Sequence, residues 1–193
     1  MYDLKSTLLL KSVMKTYFSS LENPGRKIAW CTSVGPAELL RSFNFEVYFP
    51  ENHGALLGAS RLATDCIPSA IKAGYSGHVC SYTTSDIGAY LNKTTPLKRQ
   101  YGIESIPKPD LIVYNTNQCR EVQDWFNFFA KEFNCPIAGI HSPRHMDEVT
   151  KEEVALVISQ HRKIIPACEK ASGNKFDIDA FRETLRLSKE ATL

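Results

Sequence analysis

Residues 107–133 read PKPDLIVYNTNQCREVQDWFNFFAKEF, and this stretch decides the fold. Residues 110–114 read DLIVY, and the unbroken apolar run after Asp110 and two prolines predicts a buried strand. Residues 119–133 carry apolar side chains at helical spacing, which predicts an amphipathic helix. Because a polar turn joins this strand to this helix, we expect a parallel sheet flanked by helices.

The rest of the chain repeats the alternation of strands and helices. Further strands are predicted at residues 27–33, 46–49 and 136–141, and further helices at residues 3–21, 37–43, 65–73, 150–170 and 177–188. We therefore expect an N-terminal helix in residues 1–23, an α/β domain in residues 24–145 and a helical segment in residues 146–193. No strand follows that segment, so we expect it to lead into a second domain absent from this sequence or to pack on another chain.

Composition excludes several classes of function. The net charge of +2 over 193 residues is too small for a nucleic-acid-binding surface. No apolar run approaches the roughly 18 residues that span a bilayer, so we expect a cytoplasmic protein that binds no membrane. The sequence contains neither a P-loop nor a G-x-G-x-x-G turn. A basic, turn-rich loop is either solvated or contacts phosphate groups of a ligand; its cations are Lys93, Lys98, Arg99 and Lys108.

Cysteine spacing narrows the possible metal sites. The six cysteines include no C-x-x-C pair, which excludes a zinc ribbon and the compact ferredoxin motif. In the absence of a secretory signal, free thiols or metal ligands are expected rather than disulfides. Any cluster must therefore draw its ligands from distant segments.

The position of each cysteine relative to the strands suggests which ones face a ligand. Ligands of parallel α/β sheets bind at the carboxyl ends of the strands. Cys119 follows the strand at 110–114 and begins a helix, where the helix dipole favours a thiolate. Cys80 precedes another predicted helix, and Cys31 lies near the end of the first strand, so these three can meet at one edge. Free cysteines are often simply buried, and that reading is preferred for Cys31, Cys66, Cys135 and Cys168.

Several segments resemble, in order, the motifs of the 2-hydroxyacyl-CoA dehydratase and benzoyl-CoA reductase family. They read CTSVGPAELL at 31–40, YFPENHGA at 48–55, CSYTTSDIG at 80–88, NTNQC at 115–119 and EKASGNKFD at 169–177. The resemblance covers most of residues 24–190 and corresponds to the amino-terminal half of a family subunit, similar to the 2-hydroxyglutaryl-CoA dehydratase D-component.

The resemblance implies a flavodoxin-like or Rossmann-like domain in which Cys80 and Cys119 are ligands of a [4Fe-4S] cluster. It also implies a homologous second subunit and an ATP-dependent iron–sulfur activator, which supplies a low-potential electron for an acyl-CoA thioester. In this setting Glu38, at a helix start, is expected to carry protons as a catalytic residue. The alternative for Glu38 is a structural charge that the helix dipole favours.

Two departures from the family pattern leave alternatives open. The third cluster cysteine of the family lies in its second half, so we expect this chain to be either a fragment or a short form. Thr84 stands where many members have arginine, which favours the reductase branch over the dehydratase branch. A non-catalytic partner domain without a functional cluster, and a flavin-binding module of the same fold, are the competing hypotheses.

Overall fold

The computed structural model of the chain describes residues 4–23, 25–143 and 148–192. Four parallel strands form one sheet in the order β2-β1-β3-β4 within these residues. The strands are β1 (Ile28–Cys31), β2 (Glu46–Tyr48), β3 (Leu111–Asn115) and β4 (Ile137–Ile140). The predicted α/β fold with a parallel sheet is therefore confirmed.

Helices surround the sheet and extend beyond it. In the described part of the chain they are α1 (Lys5–Ser20), α2 (Ala37–Ser42), α3 (Pro50–Ala59), α4 (Ala63–Lys72), α5 (Ser81–Leu91), α6 (Pro96–Tyr101), α7 (Glu121–Glu132), α8 (Lys151–Ser172) and α9 (Ile178–Thr192). The boundaries expected between the N-terminal helix, the α/β domain and the helical segment fall at or beside residues 24 and 144–147, outside the described residues.

Side chains that alternate along the strands build two cores, one on each face of the sheet. Trp30 and Ile112 point to the face covered by α7 and its aromatic residues. Ala29 and Val113 point to the opposite face, where side chains of α2 and α8 cover them. All five residues of β3 are buried, as its unbroken apolar run predicts for a central strand covered on both faces.

Two helices were not expected from the sequence. The stretch after β2, for which no element was predicted, forms α3, which begins at Pro50. The basic loop contains α6, whose first turn is capped by the Thr95 side chain, which accepts a hydrogen bond from the Leu97 N–H. Proline at the first position of both helices is favourable because the N–H that it lacks has no helical partner there.

Helix α5 lies unusually close to α4. A Cβ atom built on Gly88 would lie 1.9 Å from the carbonyl oxygen of Cys66, so only glycine allows the two backbones to approach this closely. Because Cys80 is the N-cap residue of α5, this contact also determines where Cys80 lies.

Candidate functional site

The strand order marks one crevice at the carboxyl edge of the sheet. The chain continues from β1 to β2 on one side and from β3 to β4 on the other, so the loops after β1 and β3 diverge. Ligands of open α/β sheets bind at such a switch point. Residues 32–36 and 116–120 form the walls of this crevice.

Asn115, the last residue of β3, holds the loops of this crevice together. Its backbone N–H donates to the Thr32 hydroxyl at 2.9 Å, and its side-chain amide donates to the Val34 carbonyl at 3.0 Å. Its side-chain oxygen accepts from the Asn117 N–H at 3.0 Å and from the Ser142 hydroxyl at 3.1 Å. One amide side chain thereby orders the loops that follow three neighbouring strands.

A cavity of about 360 Å³ opens at this edge and brings the two predicted ligand cysteines together. This volume lies within the range of about 300–1,000 Å³ that is common for small-ligand sites. The lining residues come from the loops after β1 and β3 and from α3, α5 and α7: Ser33, Glu51, Asn52, Ala55, Cys80, Tyr82, Thr83, Gln118, Cys119, Val122 and Trp125.

Cys80 and Cys119 reach this cavity from different secondary-structure positions. Cys80 is exposed and caps α5, and its N–H donates to Glu121 Oε2 at 2.8 Å. Cys119 is partly buried and lies two residues before the first residue of α7. Cys119 was expected to begin a helix, but α7 begins at Glu121, whereas Cys80 directly precedes the first residue of α5.

Of the other four cysteines, Cys31, Cys66 and Cys168 are buried and Cys135 is partly buried, and none of the four lines the cavity. Cys31 is fully buried beneath the edge and does not line the cavity, and burial raises the pKa of its thiol well above the usual value. Burial also raises the pKa of Cys66, and it raises those of Cys135 and Cys168 to about 12. A raised pKa disfavours the thiolate, which is the form that binds metal.

Glu51 is a cavity residue that the sequence analysis missed. It lies in the first turn of α3; its Oε1 accepts from the Ser33 N–H at 2.9 Å, while its Oε2 is buried without a hydrogen-bond partner. Burial raises the pKa of the Glu51 carboxyl, and the negative charge of Asp86 adds to this effect. Its position after β2, at the carboxyl edge, was the signal that could have identified it.

Glu38 lies elsewhere. It is in the first turn of α2, as predicted, but it is not among the residues that line the cavity. Its Oε1 accepts a hydrogen bond from the Ser188 hydroxyl of α9 at 2.7 Å. The proton-carrying role of Glu38 stays a prediction, whereas the observed contact joins the C-terminal helix to the sheet edge.

The donor atoms at the cavity fit part of an iron–sulfur cluster. Cys80 and Cys119 line the same open cavity, and thiolates are the usual ligands of such clusters. Among the residues that the structure describes, no group of three or more His, Cys, Asp or Glu side chains lies together in a way that could hold a metal ion. At this cavity the described residues therefore offer two cysteine thiols, and the other described cysteines do not line it.

The predicted basic cluster lies away from the cysteine cavity. Lys93 and Lys108 line a separate cavity of about 600 Å³, together with residues that precede β1, β3 and β4. This cavity is therefore at the amino edge of the sheet. Lys98 pairs with Glu104 at 2.7 Å on the surface. In the described residues, no helix combines the length and the apolar character needed to cross a membrane.

Comparison with known proteins identifies the family. A family model described as 2-hydroxyglutaryl-CoA dehydratase, D-component, matches residues 32–192. The chain is 31% identical over 169 residues to the (R)-2-hydroxyisocaproyl-CoA dehydratase alpha subunit of Clostridioides difficile, covering 86% of this chain and 40% of that protein. It is 31% identical over 157 residues to a benzoyl-CoA reductase subunit of Thauera aromatica, covering 80% of this chain and 35% of that protein.

A third relative, the (R)-phenyllactyl-CoA dehydratase alpha subunit of Clostridium sporogenes, is 27% identical over 168 residues, covering 86% of this chain and 40% of that protein. The chain thus spans about two fifths of the length of these relatives. Because the family model covers most of the chain, including the complete sheet edge with its cavity, the chain belongs to the 2-hydroxyglutaryl-CoA dehydratase D-component family.

Proposed function

We propose that this chain is the iron–sulfur-binding part of a subunit of a radical CoA-ester enzyme, of the 2-hydroxyacyl-CoA dehydratase or benzoyl-CoA reductase type. Cys80 and Cys119 hold a [4Fe-4S] cluster that passes a low-potential electron to an acyl-CoA thioester. The observation that carries this proposal is that these two cysteines line one cavity at the switch point of the sheet. Membership of the family supports it.

The cavity residues have separate tasks in this proposal. When bound, the cluster supplies the electron, and an iron without a protein ligand serves as a Lewis acid toward a substrate oxygen. The Cys80 and Cys119 thiolates bind it. Val122 and Trp125 form an apolar wall that limits water, which strengthens electrostatic interactions inside the cavity.

Glu51 is the proton donor that the cavity offers. Its raised pKa favours the protonated carboxyl, and its buried Oε2, which has no hydrogen-bond partner, is the oxygen that can carry the proton. A protonated carboxyl beside the substrate can give its proton to a departing hydroxyl group, which then leaves as water. The Ser33 N–H fixes the other oxygen, so that the carboxyl keeps one orientation.

The proposal includes partners. The relatives are named as single subunits of their enzymes, several of them as alpha subunits, which supports assembly of this chain with a homologous second subunit. An ATP-dependent iron–sulfur activator is the proposed electron donor. The acyl-CoA is recognised in part by protein outside this chain, since the chain spans only 40% of the dehydratase relatives.

Iron loading tests the proposal. The purified chain is reconstituted anaerobically with iron and sulfide, and iron content and visible absorbance are measured for wild type, Cys80→Ala, Cys119→Ala and Cys135→Ala. We expect iron to be lost in the first two variants and kept in the third, because Cys135 has a pKa of about 12 and does not line the cavity. Equal iron in all four proteins would contradict the ligand assignment.

A second candidate is a non-catalytic partner domain of the same fold. The observation that favours it is that the described residues supply only two thiol ligands at the cavity. Under this hypothesis the reconstituted wild type remains colourless and free of iron, while the chain still binds the homologous subunit in a pull-down assay.

A further inference from the structure

Helices α5 and α7 are joined by two hydrogen bonds, which we call the α5–α7 bridge. The Cys80 N–H donates to Glu121 Oε2, and the Trp125 Nε1–H donates to Asp86 Oδ2, both at 2.8 Å. Glu121 and Trp125 are four residues apart on α7 and therefore lie on the same face of that helix. The two attachment points are separated by roughly 6 Å along the α7 axis.

The inner half of the bridge is part of a buried polar cluster. Asp86 is 1% exposed and Trp125 is 2% exposed. The second Asp86 oxygen contacts Nδ1 of His53, which is on α3, and His53 Nε2 lies 2.8 Å from the hydroxyl of Thr95, which caps α6. Asp86 thus uses both oxygens and ties α5 to two further elements, α7 and α3, of the cavity wall.

Such a cluster is better suited to fixing geometry than to adding stability. Buried ion pairs contribute little net stability, because desolvation offsets most of the attraction. Hydrogen bonds, in contrast, are directional and lose strength steeply when donor and acceptor misalign. Two of them across one helix pair fix both the separation and the rotation of the helices, which apolar contacts alone leave free to slide.

The bridge joins the two segments that carry the thiol groups. Cys80 is itself one of its donors, and Cys119 lies two residues before Glu121. We propose that Glu121 and Asp86 are positioning residues, which hold α5 and α7 at the spacing that allows the Cys80 and Cys119 sulfurs to bind one cluster. This inference rests on the proposed function.

Glu121 allows a test in which folding is not at risk, because it is partly exposed at the first position of α7. Glu121→Ala removes the acceptor of the Cys80 N–H. Glu121→Gln keeps an oxygen that accepts this hydrogen bond. The negative charge of Glu121 is absent from both variants. Both variants lose the same favourable charge at the helix N-terminus, so any difference between them reports the hydrogen bond.

The spacing is measured in metal-free protein with a short bismaleimide, in a Cys135→Ser background that leaves Cys80 and Cys119 as the accessible thiols. We expect the yield of the Cys80–Cys119 cross-link to fall about fivefold in Glu121→Ala, because the loss of one hydrogen bond of ordinary net strength corresponds to a factor of about five. In Glu121→Gln the yield should return to the wild-type value. Alkylation of each single thiol by a monofunctional maleimide should be unchanged.

Asp86→Asn provides the second variant, with Glu46→Gln as its control. Glu46 is also a buried carboxylate with several partners, including Arg26 and Arg41, but it begins β2 at the opposite edge of the sheet. We expect both variants to lose thermal stability, and only Asp86→Asn to lower the cross-link yield.

Iron uptake separates this inference from the proposed function. A wild-type protein that takes up no iron overturns the proposed function. Wild-type iron uptake, together with equal cross-link yields and equal electron paramagnetic resonance spectra for wild type, Glu121→Ala and Asp86→Asn, overturns the positioning role alone. Altered spectra and lower yields in Glu121→Ala that Glu121→Gln restores support it.

Discussion

Replacing Gly88 by alanine should force α4 and α5 apart. The new Cβ would lie 1.9 Å from the carbonyl oxygen of Cys66 and 2.5 Å from its carbonyl carbon. Ordinary contact begins near 3.4 Å, so the two helices must separate by about 1.5 Å. The clashing atoms belong to the backbone of α4, which cannot move away as easily as the end of a flexible side chain does.

The cost follows from two opposing effects. An extra methyl group in a packed interior costs about 1–3 kcal/mol, and a clash with backbone favours the upper end. Alanine recovers about 0.5–1 kcal/mol relative to glycine in a helix. We therefore expect the free energy of unfolding to fall by about 2 kcal/mol. Since Cys80 caps α5, its sulfur moves with the helix, and iron uptake should fall too.

Urea unfolding of Gly88→Ala and Gly58→Ala measures this effect. Gly58 lies in α3, and a Cβ there would meet no atom within 4 Å, so Gly58→Ala should gain the helix propensity of alanine without a clash. We expect the two substitutions to change stability in opposite directions. If Gly88→Ala is as stable as Gly58→Ala, the close approach of α4 and α5 does not exist.

Two further predictions concern single side chains. Burial raises the pKa of Glu51 above 4.5, so the folded protein binds a proton there more tightly than the unfolded chain does. The free energy of unfolding of the wild type should therefore decrease as the pH rises from 4.5 through the raised pKa. Glu51→Gln cannot titrate and should lack this decrease when urea unfolding is measured at several pH values. Thr150 and Glu153 form a capping box at the start of α8. Thr150→Ala should therefore lower the free energy of unfolding by about 1 kcal/mol, and Thr150→Ser, which keeps the hydroxyl, should lower it less, as measured by thermal unfolding.

The sheet and its main helix could be predicted because their signals are local. The apolar run of β3 and the helical spacing of α7 each lie within one segment, and both elements formed as expected. The α6 helix was also readable in principle: Thr95 caps it, Pro96 begins it, and Gly102 ends it with a φ of 77°. Its short length and its charged residues hid the pattern.

The cavity could be predicted only in part. Because ligands bind at the carboxyl ends of parallel strands, Cys80 and Cys119 were predicted to meet at this edge of the sheet. In the structure both residues line the cavity there. The same rule applied to β2 leads to Glu51, but no helix was predicted directly after β2, and the carboxyl was therefore overlooked. The bridge contacts join residues 41 and 39 positions apart, and no local pattern encodes such pairs.

The six cysteines show why position decides chemistry more than number does. Cys31, Cys66 and Cys168 are fully buried and behave as small apolar side chains, while Cys135 is partly buried and lies away from the cavity. Cys80 directly precedes α5 and Cys119 lies two residues before α7, and both cysteines line the cavity at the carboxyl edge of the sheet. A cysteine one helical turn further along α5 would stand at Thr84, which is 2% exposed and does not line the cavity. The proposed ligand pair therefore depends on the segments that the parallel sheet aligns at its carboxyl edge, and two hydrogen bonds join α5 and α7 there.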